Sequence, residues 1–194
     1  MGTIPLQCQC DQVKGRAIDM SPETVNRVVC YCDDCQNFAH YLKQAERTLN
    51  EHGGTDIVQI TPPQIQIDQG LEQLRSVRLK EKGLIRWYTQ CCQTPVANTV
   101  SESIPFVGLI HCFWAESSEV QKTLGPVRYR IYGKFASGET PSEVSQGVPL
   151  LFILRNIIRV LGAKIRGLNQ PSPFFDSKGL PISSPSVAGA SNVR

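Results

Sequence analysis

Three thiols fall within six residues in the run Cys30-Tyr31-Cys32-Asp33-Asp34-Cys35. A C-x-x-C pair on a short loop chelates a tetrahedral ion at little entropic cost, and the added C-x-C arm brings a third thiolate to the same ion. Three protein ligands with an unfilled fourth position describe a catalytic zinc site better than a closed one. His40, His111 and Cys112 are the candidates for a closing fourth ligand. His40 falls on the helix face opposite the apolar stripe that contains Phe38 and reads as solvent-facing. His111 and Cys112 sit in an apolar strand, where an inert core cysteine is the commoner case. The triad is therefore read as a metal site rather than as free or redox-active thiols.

Cys8-Gln9-Cys10 is a second chelating pair, and Cys91–Cys92 is the remaining cluster that can partner it. Successive side chains of a strand point to opposite faces, which predicts that only one of the two vicinal cysteines joins Cys8 and Cys10. Such a site ties the N-terminal hairpin to the middle of the chain. Thiol redox chemistry at Cys91–Cys92 ranks last, since nothing nearby marks either sulfur as activated.

The elements that position these residues follow from periodicity. Residues 6 to 18 read as a hairpin-like start broken at Gly15. Asp33 or Asp34 caps a helix beginning near Cys35, whose stripe runs Phe38, Tyr41, Leu42, Ala45 and Leu49 and ends at Gly53–Gly54. Brief strand runs follow at Ile57–Ile60, Ile65–Asp68, Leu74–Leu79, Leu84–Tyr88 and Phe106–Phe113. Residues 148–168 form an amphipathic helix with four basic residues and no acidic ones. Its arginines are expected on the solvent side of a helix packed on the domain, a reading preferred to a membrane-surface helix. Two central arginines argue against a transmembrane span. The expected organisation is a domain over 1–147, the basic helix over 148–168 and a Pro/Ser-rich tail over 169–194, with Phe174–Phe175 anchoring part of the tail.

Bulk properties narrow the classes. A hydrophobic content of 41% suffices for a packed core, and a net charge of +3 spread along the chain gives little pull toward nucleic acid. The N-terminus shows no secretory leader, so eight cysteines imply a reducing compartment, with cytoplasm as the default.

The motif order resembles the CENP-V/GFA family, named for the glutathione-dependent formaldehyde-activating enzyme, a carbon–sulfur lyase. RVVCYCDDCQ, HGGTDIVQ, GLIRWYTQCCQTP, PFVGLIH and the closing PSPFFD resemble an uncharacterised bacterial branch of it, and the likeness covers most of residues 6 to 112. The resemblance implies a mainly β fold with a minor α component, β-tent-like, with two zinc ions as cofactors. It matches Cys8 and Cys10 to a structural pair and Cys30, Cys32 and Cys35 to a catalytic triad. Cys92 matches the second cysteine of the family's C-x-x-C element, whose first falls on Thr89, so Cys91 stands in from an unusual position. The family's triad is usually C-H-C-S-x-C, often followed by a basic residue. Here Tyr31, Asp33, Asp34 and Gln36 occupy those surroundings, and two carboxylates would repel those of glutathione.

Two functions follow as expectations. One is lyase-like chemistry on a small-molecule thiol adduct at the open Cys30, Cys32 and Cys35 site, with Arg86, Trp87 and Tyr88 as candidate pocket walls. The other is a non-catalytic zinc-stabilised module that binds a protein or membrane partner.

Overall fold

Short β-branched runs broken by turn residues make a sheet protein. The computed structural model describes residues 2–188. In chain order the elements are β1 (Gly2–Gln7), β2 (Lys14–Met20), β3 (Asn26–Cys30), α1 (Asp33–Tyr41), α2 (Ala45–Thr48), β4 (Thr55–Ile60), β5 (Ile65–Gln69) and β6 (Leu74–Arg78). There follow β7 (Ile85–Thr89), β8 (Pro95–Thr99), β9 (Val107–Ile110), α3 (Ser117–Leu124), β10 (Tyr129–Ile131), α4 (Leu150–Ile165) and β11 (Ser186–Val187). The fold is mainly β with a minor helical part, as expected.

Strands β1, β2 and β5 form a small antiparallel sheet. The larger sheet runs β10-β3-β4-β9-β8-β7-β6-β11, antiparallel except where the outer strands β10 and β11 pair parallel to their neighbours. The main core, built around Ile4, Leu6, Trp87, Leu109 and Phe113, joins the two sheets. Trp87 is fully buried and donates from Nε1 to Thr99 Oγ1 at 2.9 Å.

Several local expectations are corrected. Gly15 is not the break of the first hairpin: it lies inside β2, and the turn is at residues 8–13. A Cβ at Gly15 would stand 2.2 Å from the Gln66 carbonyl oxygen, so the glycine admits the close approach of β5. The helix at 33–49 is two pieces, because Lys43 takes φ 55 and the Gln44 N–H closes on the Ala39 carbonyl in a helix-ending bond. Strand β8 escaped the sequence reading, since Thr94-Pro95 reads as a turn.

The C-terminal segment packs back onto the domain. Phe174 is fully buried with its ring 5.0 Å from that of Trp87, and Phe175 meets Trp87 edge-on at 6.2 Å. Substituting Phe174→Ala is expected to cost about 3–5 kcal/mol, as for other buried aromatics. Urea unfolding of the variant checks it, and a loss below about 1 kcal/mol would mean that the tail does not pack there.

Candidate metal centres

The structure gathers seven of the eight cysteines into two groups, Cys8–Cys10–Cys91–Cys92 and Cys30–Cys32–Cys35, with the sulfurs of each group within 4.8 Å of one another. None of the eight forms a disulfide.

In the first group the loop after β1 folds back through Cys8 N–H donating to the Val13 carbonyl, and Val13 N–H in turn donates to the Cys8 sulfur at 3.3 Å. Cys91 and Cys92 lie in the turn between β7 and β8, not in a strand. That corrects the alternation argument: with no strand pleat to separate them, both side chains point to the same place. The sulfur separations are 3.7 Å for Cys8–Cys10, 3.9 Å for Cys8–Cys91 and 3.8 Å for Cys91–Cys92. Four sulfurs held tetrahedrally about 2.3 Å from one ion would stand about 3.8 Å apart, so this donor set fits a four-coordinate thiophilic metal. Thr89 places its hydroxyl 3.4 Å from Cys92 Sγ, and Thr94 Oγ1 lies at 3.1 Å. Burial opposes ionisation of Cys92, but hydrogen bonds from these hydroxyls and from Cys10 together outweigh it and bring the thiol down to about 6. Burial and the neighbouring Cys10 thiol push Cys91 up to about 12.

The second group combines a strand end with a helix start. Cys30 is the last residue of β3, and Cys32 is the N-cap of α1. The Cys32 carbonyl accepts the N–H groups of Cys35 and Gln36, which puts Cys32 and Cys35 on one turn. Asp33 and Asp34 are therefore in the first helical turn and do not cap it, a correction with a simple cause: carboxylates there complement the helix dipole without occupying the cap. Cys35 is held well below the usual thiol range by hydrogen bonds from the Cys30 and Cys32 thiols and by the Arg86 guanidinium beside it.

No fourth His, Cys or carboxylate among the described residues completes this set. His40 is exposed. The two ring nitrogens of His111 sit against the carbonyls of Asp56 and Arg47, and Cys112 donates to the Arg47 carbonyl. The three sulfurs instead line a cavity of about 420 Å³.

The floor of that cavity is a row of cross-strand neighbours, Gln59 on β4, Gly108 on β9, Asn98 on β8 and Arg86 on β7. Arg86 is 3% exposed, donates to Asn98 Oδ1 at 3.2 Å and lies over the Phe38 ring. Arg86, a candidate pocket wall in the sequence, thus lies in the floor, and its neighbours Asn98 and Gln59 are not among the sequence candidates. Polar residues in a strand otherwise buried on both faces were the signal. Trp87, by contrast, points into the core, and Tyr88 packs against Tyr41, so neither walls the cavity.

The charge balance also differs from the sequence reading. Asp34 pairs with Lys80 at 2.8 Å, while Arg86 and Lys134 join Asp33 and Asp34 in the cavity lining. The two carboxylates are thus matched by cations that come from distant strands and loops. Replacing Arg86 by methionine is expected to weaken metal binding at the triad by about 10–100-fold, the usual effect of removing a group that supports metal ligands. A competition titration against a chromophoric chelator reads the change, and unaltered affinity would separate Arg86 from the triad.

Residues 1–184 match a family described as a family of unknown function, DUF6151. The chain belongs to this family. A comparison with curated proteins finds no match. Among the described residues, no helix is long and apolar enough to cross a membrane.

Proposed function

We propose that this DUF6151 member binds two zinc ions, one structural at Cys8, Cys10, Cys91 and Cys92, the other catalytic at Cys30, Cys32 and Cys35, where a carbon–sulfur lyase reaction on a thiol adduct takes place. The observation that carries the reading is the three-sulfur set opening onto a cavity floored by buried, hydrogen-bonded Arg86 and Asn98. A purely structural zinc site is closed by a fourth protein ligand, whereas this set has only three among the described residues and faces a cavity. The likeness of the cysteine order to the CENP-V/GFA family supports the choice of lyase chemistry.

When bound at the triad, zinc supplies a Lewis acid with an affinity for sulfur. The chain's own residues supply the rest. Arg86, held in place by Asn98, offsets the charge of the three thiolates and offers a donor to an acidic or carbonyl group of the substrate. Gln59 and Asn98 add neutral carboxamides along the same floor. Phe106, Phe135 and Phe152 line the cavity and exclude water from it. Asp33, which also lines the cavity, takes up the proton that the adduct's hydroxyl releases as the carbon–sulfur bond breaks to give a carbonyl compound and a thiolate.

The test is turnover of S-hydroxymethyl adducts, made from formaldehyde and small thiols with anionic, neutral or cationic tails, followed by proton NMR. The expected result is faster adduct exchange with zinc-loaded protein, best with the anionic tail that Arg86 can meet. No acceleration with any tail would remove the lyase reading and leave a zinc-stabilised binding module.

A further inference from the structure

Helix α4 is mounted inside out. Pro149 at its N-cap starts it, and Gly167, at φ 69, stops it with the Leu168 N–H bonded back to the Ala163 carbonyl. Between these ends the side facing the domain carries Phe152, Asn156, Arg159 and Ala163. Arg159 anchors it by donating to the backbone carbonyls of Glu23, Thr24 and Val25. The opposite stripe, Leu150, Leu154, Ile158, Leu161 and Ile165, is 52–87% exposed. The sequence reading, with arginines outward and the apolar face packed, is therefore reversed for the central arginine and for the whole leucine–isoleucine stripe.

An exposed apolar stripe the length of a helix is unusual on a soluble surface and marks something that covers it. The charges around it say what. Lys164 flanks the stripe on one edge and Arg155 and Arg166 on the other, given about 100° of rotation per residue. Residues 148–168 contain no acidic side chain. The stripe is the convex side of a single straight helix about 24 Å long, not a groove, so a flat apolar layer bordered by negative charge fits it best. We propose that α4 docks the protein on the surface of an anionic lipid bilayer, with the leucine–isoleucine stripe in the acyl boundary and the basic edges among the headgroups. Phe152 on the same helix lines the cavity beside the cysteine triad, so docking sets that cavity close to the membrane surface.

Co-sedimentation of the full chain with vesicles tests this, using phosphatidylcholine alone and phosphatidylcholine mixed with phosphatidylglycerol. Binding is expected to the mixed vesicles and to weaken with salt. The double substitution Leu154→Ser/Ile158→Ser should lower it on the order of a hundredfold, because two exposed side chains lose their burial in lipid. Lys164→Gln/Arg166→Gln should lower it about fivefold per charge on the mixed vesicles. Both pairs are exposed, and a circular dichroism melt confirms that the variants fold. Failure to bind either vesicle, or binding indifferent to Leu154→Ser/Ile158→Ser, overturns the proposal. So does a self-associated chain that Ile158→Ser converts to monomer in sedimentation velocity while no vesicle binds, which would make a second copy the occupant.

Discussion

Substituting Cys8→Ser is expected to lower the melting temperature by about 8–20 °C and to abolish the stabilising effect of metal. The reasoning starts from chain distance. Cys8 and Cys91 are 83 positions apart yet their sulfurs are 3.9 Å apart. A metal held between them therefore closes a loop covering nearly half the protein. A disulfide closing a loop of that size is worth about 4–5 kcal/mol through restriction of the unfolded chain, and a metal cross-link restricts the same ensemble. With about 2–4 °C per kcal/mol for a chain of this length, the loss becomes the stated shift. Measured against a total stability of about 5–15 kcal/mol, it is a large fraction. Adding a strong chelator to the unaltered protein should reproduce the drop, and chelator should do little more to Cys8→Ser. A melting temperature unmoved by either treatment would show that the four sulfurs hold nothing that matters for folding.

Substituting Cys32→Ser should do the reverse. Cys30, Cys32 and Cys35 lie within six residues, so a metal on them closes only a short local loop between the end of β3 and the start of α1. The fold there is already set by the Cys32 carbonyl bonds that open α1 and by the packing of Cys30 and Cys35 with Val28, Ile57, Ile131 and Phe152. A change in melting temperature of less than about 4 °C is expected. Metal affinity at the triad should fall further than it does for Arg86→Met, since a ligand is lost rather than its support, and adduct turnover should disappear. Stopped-flow chelator competition reads the first effect and NMR the second. Equal unfolding by Cys8→Ser and Cys32→Ser would end the division between a structural and a catalytic centre.

How much of this was legible in the chain depends on how local each feature is. The triad was readable because its three thiols are neighbours in sequence, and spacing alone brings them to one point. The partnership of Cys8 and Cys10 with Cys91 and Cys92 was readable only as a need, a pair without a mate. Its geometry was misjudged because the vicinal cysteines were assigned a strand's alternation when they occupy a turn. Arg86 carries the same lesson further. Its burial beside Asn98 depends on the register of β7 with β8, which no spacing rule gives, and β8 itself was hidden by its leading proline. The orientation of α4 was the least legible feature. Its periodicity correctly showed two faces, but which one turns inward is decided by three carbonyls at residues 23–25 that receive Arg159, over 130 positions away in sequence.

The most direct test of the account is the zinc content of the purified full chain, by elemental analysis, beside that of Cys32→Ser. Two zinc ions per chain are expected, falling to one in the variant with the fold intact, in line with the two cysteine groups. Protein purified without chelator that carries no zinc, and whose eight thiols all titrate freely, would contradict it.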